Sequence, residues 1–453
     1  MRKIAIIGGG GIRTPLLIHA LARAERDLDL GEVALFDIDS ERTETIAGLG
    51  REIVSRLGSR MSIRTEFSIE RAAAGADFVL NSIRVGGMAA RARDERIAIQ
   101  HGLAGQETTG PGGAAMALRT VPVTLAYARI VERVAPSAWF INFTNPAGLM
   151  TQALNAFSGL KTIGICDTPS ELFHRTADVL GLPREKLEFD YAGLNHLGWV
   201  RHVASGGEDL TPRLLADPES LRRLYPAGLF DPSLIATLGL IPSEYLFFYY
   251  SQRRAYENQL RANASRGEEL QQLNMNLFER FQAVDAAKGL ELYRDYLLRR
   301  NASYLKLEAQ AESAMQVAEE HYDPFETATG YHRIALDVMR ALLSDEPREI
   351  VLNVPNVGSI DDLDAGDVVE VPCDVDRTGA RPRRTGRLPE SVRGLVLAVK
   401  AYERTTIRAA TERSSALARL ALLEYPIVGQ WEIARDVLAS MIRADSQHLG
   451  YLG

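Results

Sequence analysis

The chain has 453 residues, 46% of them hydrophobic and 25% charged, so it can bury a large core as an ordinary globular protein. Its formal net charge of -7 disfavours nucleic acid as a partner, because proteins that bind nucleic acids usually present a basic face to the phosphates. Two distant cysteines, no signal-peptide core and no apolar stretch of about 20 residues lead us to expect a cytoplasmic protein that binds a small molecule and neither spans nor binds a membrane.

The first element is the apolar run 3–7, which predicts a buried parallel strand. It ends in a glycine turn made of Gly8, Gly9, Gly10 and Gly11. Thr14 and Pro15 then predict the N-cap and the first position of a helix. A glycine turn before a helix offers free backbone N–H groups and the positive end of the helix dipole, which suit the pyrophosphate of a dinucleotide.

The glycine turn departs from the strict G-x-G-x-x-G pattern, because Arg13 stands where the last glycine is expected. A plain tight turn is therefore an alternative to a dinucleotide site. Asp37, near the end of the predicted strand 33–38, is placed to accept hydrogen bonds from the adenosine ribose, which favours NAD over NADP. Asp39 can share this role, although it also suits the N-cap of the next helix.

Further strands, separated by helical patterns, are predicted at 77–83, 139–143 and 162–166. This alternation predicts an α/β fold with a Rossmann-like, doubly wound parallel sheet. We expect an NAD-binding domain over residues 1–165 and a mixed, helix-rich domain for catalysis, substrate binding and oligomerisation over residues 166–453.

The second predicted domain differs in pattern from the first. Long polar helices are predicted around 252–320, strands near 349–373, an exposed loop over 374–388 and a helical C-terminus. The apolar stripes of the long helices favour a homo-oligomer, either a homodimer or a homotetramer.

Polar side chains follow several predicted strands at the carboxyl edge of the sheet, where doubly wound folds bind their ligands. Asn142 and Asn145 can bridge cofactor and substrate there, although an Asn-Pro pair is also a common turn. Cys166 and His196 also follow strands, and a thiolate with an imidazole can hold a divalent metal. Taken alone, each is more often a core residue than a ligand.

Several of these segments together resemble glycoside hydrolase family 4. They are residues 8–15, 82–87, 105–113, 145–148, 166–167 and 193–196, followed by 353–358, 371–373 and 401–403. The resemblance covers nearly the whole chain. It implies a lactate and malate dehydrogenase-like fold and a glycosidase that requires NAD and a divalent metal, with Mn2+ as the metal.

The resemblance also implies a mechanism. NAD+ takes hydride from carbon 3 of the sugar, and the resulting ketone acidifies the proton on carbon 2, which a base removes. The metal stabilises the enediolate, and the aglycone leaves with help from a general acid. Water then adds and the hydride returns, so the net reaction is hydrolysis.

The resemblance assigns roles residue by residue. Cys166 and His196 match the metal ligands, Asp167 the general acid and Tyr245 the base, with Tyr249 and Tyr250 as alternatives and Glu107 as a further catalytic candidate. Arg91, Asn145 and Arg266 match substrate contacts, Arg266 at the phosphate. The predicted cofactor contacts are Gly8, Gly9, Gly10, Gly11, Ile12, Asp37 and Asn142.

The main interpretation is a 6-phospho-β-glucosidase, with two alternatives inside the family. Asp167 is more typical of members that cleave α-glycosides, because many β-specific members have Asn at this position. Many members carry an Arg-Gly-Gly segment where this chain has residues 326–332, which leaves an unphosphorylated substrate open.

Two alternatives lie outside the family. A lactate or malate-type dehydrogenase would have Arg where Ser170 stands, three residues after the aspartate. A non-catalytic dinucleotide sensor would not need Cys166, His196 and Tyr245 together.

Overall fold

The computed structural model describes residues 1–225, 228–309, 323–327 and 329–453. Its strands are β1 Arg2–Ile7, β2 Leu30–Phe36, β3 Ser62–Glu66, β4 Phe78–Asn81, β5 Trp139–Asn142, β6 Lys161–Gly164, β7 Glu188–Leu194, β8 Leu197–Ser205, β9 Glu208–Asp209, β10 Ile241–Pro242, β11 Arg348–Pro355, β12 Val368–Asp376 and β13 Gly379–Pro382.

The α-helices are α1 Thr14–Arg23, α2 Glu25–Leu28, α3 Ser40–Arg56, α4 Ile69–Ala73, α5 Gly87–Gln100, α6 Gly110–Val134, α7 Ala147–Phe157, α8 Thr168–Leu180, α9 Thr211–Leu215, α10 Pro218–Arg223, α11 Pro232–Leu238, α12 Phe247–Tyr250, α13 Gln252–Ala262, α14 Arg266–Phe281, α15 Ala286–Ala302, α16 Lys306–Ala309, α17 Tyr331–Ala341, α18 Glu390–Glu412, α19 Ser415–Glu424, α20 Trp431–Ala444 and α21 Ser446–Leu449.

Six parallel strands form the first part of the sheet, in the order β3-β2-β1-β4-β5-β6. This is the strand order of a Rossmann fold, and it confirms the predicted doubly wound α/β architecture. The apolar run at Ile4 to Ile7 is buried because helices cover both faces of a parallel sheet. The order reverses beside β1, so the glycine turn lies at the point where such sheets bind dinucleotides.

The sheet continues into the second part of the chain. Strand β11 pairs antiparallel with β6, where Asn353 lies opposite Gly164, and the order then runs β12-β7-β8-β10. Helix α18 packs on α6, and the Tyr451 hydroxyl donates to the carbonyl of Leu118 at 2.7 Å. The predicted parts 1–165 and 166–453 therefore share one continuous sheet.

Two local predictions are wrong. The predicted exposed loop 374–388 contains a hairpin instead, because β12 extends to Asp376 and turns directly into β13. The Asp376 carboxylate stabilises this turn by accepting the Thr378 N–H at 2.8 Å. Thr14 does not cap α1, because the helix already begins at Thr14 and its N-cap position is taken by Arg13, which forms no side-chain cap hydrogen bond.

The predicted helical run 252–320 is confirmed as α13, α14, α15 and α16, and its part over 310–320 lies outside the described residues. Helix α6 is long and apolar enough to cross a membrane by length and composition alone. About two-thirds of its most apolar window (67%) is buried inside the fold, as in the core helix of a globular protein.

Candidate active site

The glycine turn between β1 and α1 is closed by the Gly11 N–H, which donates to the Gly8 carbonyl at 2.9 Å. Gly8 has φ 89, and a Cβ on it would collide with the backbone of Ser82. Within the described residues, the backbone N–H groups of Ile12 and Arg13 have no hydrogen-bond acceptor. Two free N–H groups at the start of α1 fit the pyrophosphate of a dinucleotide.

Asp37 lies at the end of β2 and contacts the glycine turn. Its Oδ2 accepts the Gly10 N–H at 3.2 Å, and burial raises the pKa of its carboxyl. Asp39 instead caps α3 by accepting the Arg42 N–H at 3.0 Å, as expected for the alternative role. The geometry therefore leaves Asp37, and not Asp39, beside the glycine turn.

Asn142 and Asn145 follow β5 but differ in what their side chains contact. Asn142 is fully buried, and its amide accepts from Asn81 at 3.0 Å and donates to the Thr144 carbonyl at 3.0 Å. Asn145 precedes Pro146 across a cis peptide bond. Its Oδ1 is buried and has no hydrogen-bond partner within the described residues. Asn142 thus organises the loop, whereas Asn145 has an oxygen free for a ligand.

The hairpin between β7 and β8 carries His196. Its backbone lies in the left-handed region at φ 61, and its imidazole stacks on the Tyr245 ring with centroids 3.8 Å apart and planes within 1°. Burial lowers the pKa of His196 to about 4, so the ring is neutral at physiological pH. Nδ1 is buried without a hydrogen-bond partner in the part of the chain that the structure describes. A neutral imidazole is the form that binds metals.

Cys166 lies two residues after the end of β6 and is 2% exposed. Burial, together with the charges of Glu370 and Asp167, raises the pKa of its thiol well above the usual value, while Thr168 opposes the rise by hydrogen bonding. Cys166 is also among the groups that act electrostatically on Tyr245, the residue on which His196 stacks. Both metal-ligand candidates therefore belong to the surroundings of Tyr245, His196 by direct ring contact.

The three candidate tyrosines have different surroundings. The Tyr245 hydroxyl lies 3.5 Å from that of Tyr304, beside His196. The Tyr249 hydroxyl pairs with that of Tyr425 at 3.0 Å. Tyr250 has a buried hydroxyl close to the indole of Trp199. Of the three, Tyr245 alone stacks on a predicted metal ligand.

Asp167 belongs to a cluster of acidic side chains at the start of α8. The Arg175 guanidinium joins Glu244 at 3.0 Å and Glu171 at 3.1 Å. Burial and the Glu244 carboxylate raise the pKa of Asp167, against the opposing charges of Arg13 and Arg300. Burial and the carboxylates of Asp167 and Glu244 raise the pKa of Glu171 to about 8. The cluster therefore holds a proton near neutral pH, as a general acid requires.

Glu107 lies between two arginines. Arg91 donates to it at 2.9 Å, and Arg84 forms a second ion pair with the same oxygen. Burial alone would raise the pKa of Glu107, but these guanidinium groups hold it well below the usual range. Glu107 is therefore an ionised counter-charge, and the Arg91 guanidinium is fixed by Glu107 and by Glu95 at 2.8 Å.

Arg266, the predicted phosphate contact, begins α14 and is 7% exposed. Its guanidinium pairs with Glu269 at 2.7 Å, contacts the Ser303 hydroxyl and donates to the Arg300 carbonyl at 2.7 Å. These contacts occupy much of its hydrogen-bonding capacity inside the protein.

The residue analysis missed Glu370 on β12, which is 1% exposed. It accepts hydrogen bonds from Tyr191 at 2.8 Å and from Asn195 and Asn353 at 3.0 Å each. Asn195 precedes His196 and accepts the Ala147 N–H at 3.0 Å, so Glu370 links the two loops that carry candidate ligands. A lone acid within the apolar run Val368 to Val371 was the available signal.

The chemistry of two donors suits a divalent metal, although among the described residues no group of three or more His, Cys, Asp or Glu side chains is placed to hold a metal ion. Cys166 offers a sulfur donor and His196 a nitrogen donor. The unpartnered Asn145 oxygen is a further polar group, and it follows β5, the strand that pairs with β6. Few protein ligands and open positions are typical of a catalytic metal, not a structural one.

Comparisons with known proteins identify the family of this chain. The model of the family 4 glycosyl hydrolases matches residues 3–182, and the model of their C-terminal domain matches residues 191–428. A probable 6-phospho-beta-glucosidase of Bacillus subtilis is 30% identical over 458 residues, covering 99% of this chain and 97% of that protein.

Solved structures give the same result. The 6-phospho-beta glucosidase from Thermotoga maritima, solved with manganese, NAD+ and glucose-6-phosphate, superposes with a TM-score of 0.83 at 29% identity and covers 100% of both chains. Malate dehydrogenase from Plasmodium falciparum superposes with a TM-score of 0.54 at 15% identity, over 91% of this chain and 99% of that one. The latter confirms the expected dehydrogenase-like fold. With both family models matched over most of its length, the chain belongs to the family 4 glycosyl hydrolases.

Proposed function

We propose that this chain is an NAD- and divalent-metal-dependent glycosidase that hydrolyses 6-phosphorylated glucosides, with the β-anomer as the preferred substrate. The observation that carries the proposal is the stack of His196 on Tyr245 beside Cys166, at the same sheet edge as a dinucleotide-type glycine turn. The likeness to 6-phospho-beta-glucosidases supports the substrate class.

The glycine turn, Ile12 and Asp37 would hold NAD, whereas Cys166 and His196 would hold the metal. When bound, NAD+ supplies a hydride acceptor and the metal supplies a Lewis acid. We assign residues 1–165 to cofactor binding and residues 166–453 to the metal, the substrate and subunit contacts. Exposed apolar side chains on the C-terminal helices, Leu397, Leu420 and Trp431, support a homodimer or homotetramer, which light scattering of the purified protein tests.

The chain's own residues divide the proton transfers. Tyr245 takes the proton from carbon 2, because its ring stacks on the metal-ligand candidate His196. Burial raises the pKa of Tyr245, and positive charge bound by Cys166 and His196 offsets this rise. Asp167 gives a proton to the departing aglycone, since burial and the nearby Glu244 carboxylate raise its pKa and so favour its protonated form. Arg91 and Asn145 orient the sugar.

The experiment is release of p-nitrophenol from α- and β-glucosides, each with and without a 6-phosphate, in the presence of NAD+, Mn2+ and a thiol reductant. We expect turnover of the β-linked phosphorylated substrate that stops when NAD+ is omitted or a chelator is added. In deuterated water the sugar product should carry deuterium at carbon 2. Turnover without either cofactor, or NADH accumulation on hydroxy acids, contradicts the proposal.

A further inference from the structure

Arg300 lies in the last turn of α15 and is half-buried beside the site. Its guanidinium forms neither a hydrogen bond nor an ion pair with any residue that the structure describes. The other arginines around the site are paired: Arg84 and Arg91 with Glu107, Arg175 with Glu171 and Glu244, Arg266 with Glu269, and Arg13 with Asp167. Among the described residues, Arg300 is thus the cation of this group without a direct ion-pair partner, and Asp167 is the carboxylate on which its charge acts.

Contacts on both sides fix the end of α15 in the site. Seven residues before Arg300, the Tyr293 hydroxyl donates to the Ile12 carbonyl of the glycine turn at 2.6 Å. Four residues after it, Tyr304 contacts Tyr245 and donates to Glu244. Arg300 therefore lies on a segment held between the cofactor turn and the proposed base.

The surroundings of Arg300 are positive. Burial lowers the pKa of the Arg300 guanidinium most, and the positive charges of Arg13, Arg266 and Arg91 lower it further. A further anion bound beside Arg300 would be stabilised by these positive charges. A guanidinium suits a phosphate, because its planar N–H groups match two phosphate oxygens.

We propose that Arg300 binds the phosphate of the substrate and selects phosphorylated over neutral glucosides, and that Arg266 supports it instead of binding the phosphate itself. This inference rests on the proposed function for the identity of the sugar. The support comes from the Arg266 hydrogen bond to the Arg300 carbonyl at 2.7 Å, which fixes the backbone of Arg300. Arg13, which lies over the Tyr331 ring at 4.4 Å and only 4.0 Å from Asp167, is placed to share the anion.

The test is calorimetric binding of glucose 6-phosphate and of glucose to the NAD+-loaded protein, with wild type, Arg300→Gln, Arg300→Lys and Arg299→Gln. Arg299 is the exposed neighbour on the same helix and serves as the matched control. We expect Arg300→Gln to weaken glucose 6-phosphate binding by roughly 10- to 100-fold. Arg300→Lys should fall between it and wild type, since lysine keeps the charge without the planar fork. Unfolding temperatures check that each variant is folded.

Three outcomes overturn the inference: no binding of glucose 6-phosphate by wild type, equal binding by wild type and Arg300→Gln, or an equal loss in Arg299→Gln. Because NAD+ also contains phosphates, the affinity for NAD+ is measured separately, and a loss confined to NAD+ would assign Arg300 to the cofactor instead. Hydrolysis by wild type tests the proposed function independently. If wild type binds glucose 6-phosphate through Arg300 but hydrolyses no substrate, the proposed function is refuted and the role of Arg300 is still supported.

Discussion

The rings of His196 and Tyr245 lie face to face, with centroids 3.8 Å apart. His196 occupies the left-handed backbone region at φ 61, which costs a non-glycine residue about 1–2 kcal/mol. The stack helps to hold the imidazole in this conformation, so Tyr245 has two separable roles: its ring orients His196, and its hydroxyl serves the chemistry.

We therefore expect Tyr245→Phe to lower kcat/KM by roughly 100-fold or more, because a positioned acid or base contributes about that much. The unfolding temperature and the Mn2+ affinity should not change, since phenylalanine keeps the stack. Tyr250→Phe is the matched control and should keep its activity. Full activity of Tyr245→Phe would move the base to Tyr249, which is tested in the same assay.

Arg266 gives a prediction about stability. Replacing it with Gln removes its ion pair with Glu269 and its hydrogen bond to the Arg300 carbonyl. A hydrogen bond to a charged group contributes about 1.5–3 kcal/mol, so the free energy of unfolding should fall by that order in urea titrations. If Arg266 acts through Arg300, the losses of glucose 6-phosphate affinity in Arg266→Gln and Arg300→Gln are not additive in the double variant. Additive losses would indicate that both arginines bind the phosphate.

Glu370 predicts how stability depends on pH. Burial raises the pKa of Glu370 to about 7, against hydrogen bonds from Asn195, Tyr191 and Asn353. In the unfolded chain this group ionises near the ordinary glutamate pKa of 4.5, so between pH 4.5 and 7 the folded protein binds more protons. Its contribution to stability therefore falls as pH rises through this window, by roughly 3 kcal/mol.

Glu370→Gln mimics the protonated carboxyl, so it should match wild type near pH 4.5 and be the more stable protein near pH 8. Urea titrations at several pH values measure the difference. A difference that does not change with pH would show that Glu370 keeps its ordinary pKa in the folded protein.

The sequence predicted the parallel half of the sheet better than the rest, because buried strands read as continuous apolar runs. Strand β3, Ser62–Glu66, was not predicted, since it is an edge strand with alternating polar residues. The hairpin ending at β13 was mistaken for a loop because residues 374–388 contain five arginines. Two of them form ion pairs within the hairpin, Arg381 with Asp376 and Arg383 with Asp374.

In the candidate site, too, some residues could be predicted from the sequence and others could not. Motif spacing predicted Cys166 and His196 as metal ligands, and the structure places them in the segments that follow β6 and β7. The acids Glu370 and Glu244 and the cation Arg300 come from distant parts of the chain. Only the antiparallel extension of the sheet and the docking of α15 bring them to this edge, and no local sequence pattern encodes that approach.

Asp37 tests the cofactor choice. Its Oδ2 accepts the Gly10 N–H at 3.2 Å, and its negative charge would repel a 2′-phosphate. We expect Asp37→Ala to weaken NAD+ by about 10-fold or more and to shift the ratio of NAD+ to NADP+ affinity towards NADP+. Asp39→Ala removes only the cap of α3, at about 1 kcal/mol of stability, and should leave the ratio unchanged. The opposite pattern, measured by fluorescence titration, would assign the ribose to Asp39.

The two cysteines provide an internal comparison for the metal. Both are buried, but Cys373 lies on β12 with its thiol donating to the Val371 carbonyl at 3.4 Å, whereas Cys166 adjoins Tyr245. With Co2+ as a spectroscopic substitute, wild type and Cys373→Ser should show a sulfur-to-metal charge-transfer band that Cys166→Ser lacks. Cys166→Ser should also weaken Mn2+ binding by at least roughly 100-fold, because removal of a direct ligand exceeds the cost of losing an outer contact. A band that persists in Cys166→Ser and disappears in Cys373→Ser would place the metal elsewhere, and loss in neither would exclude thiolate ligation.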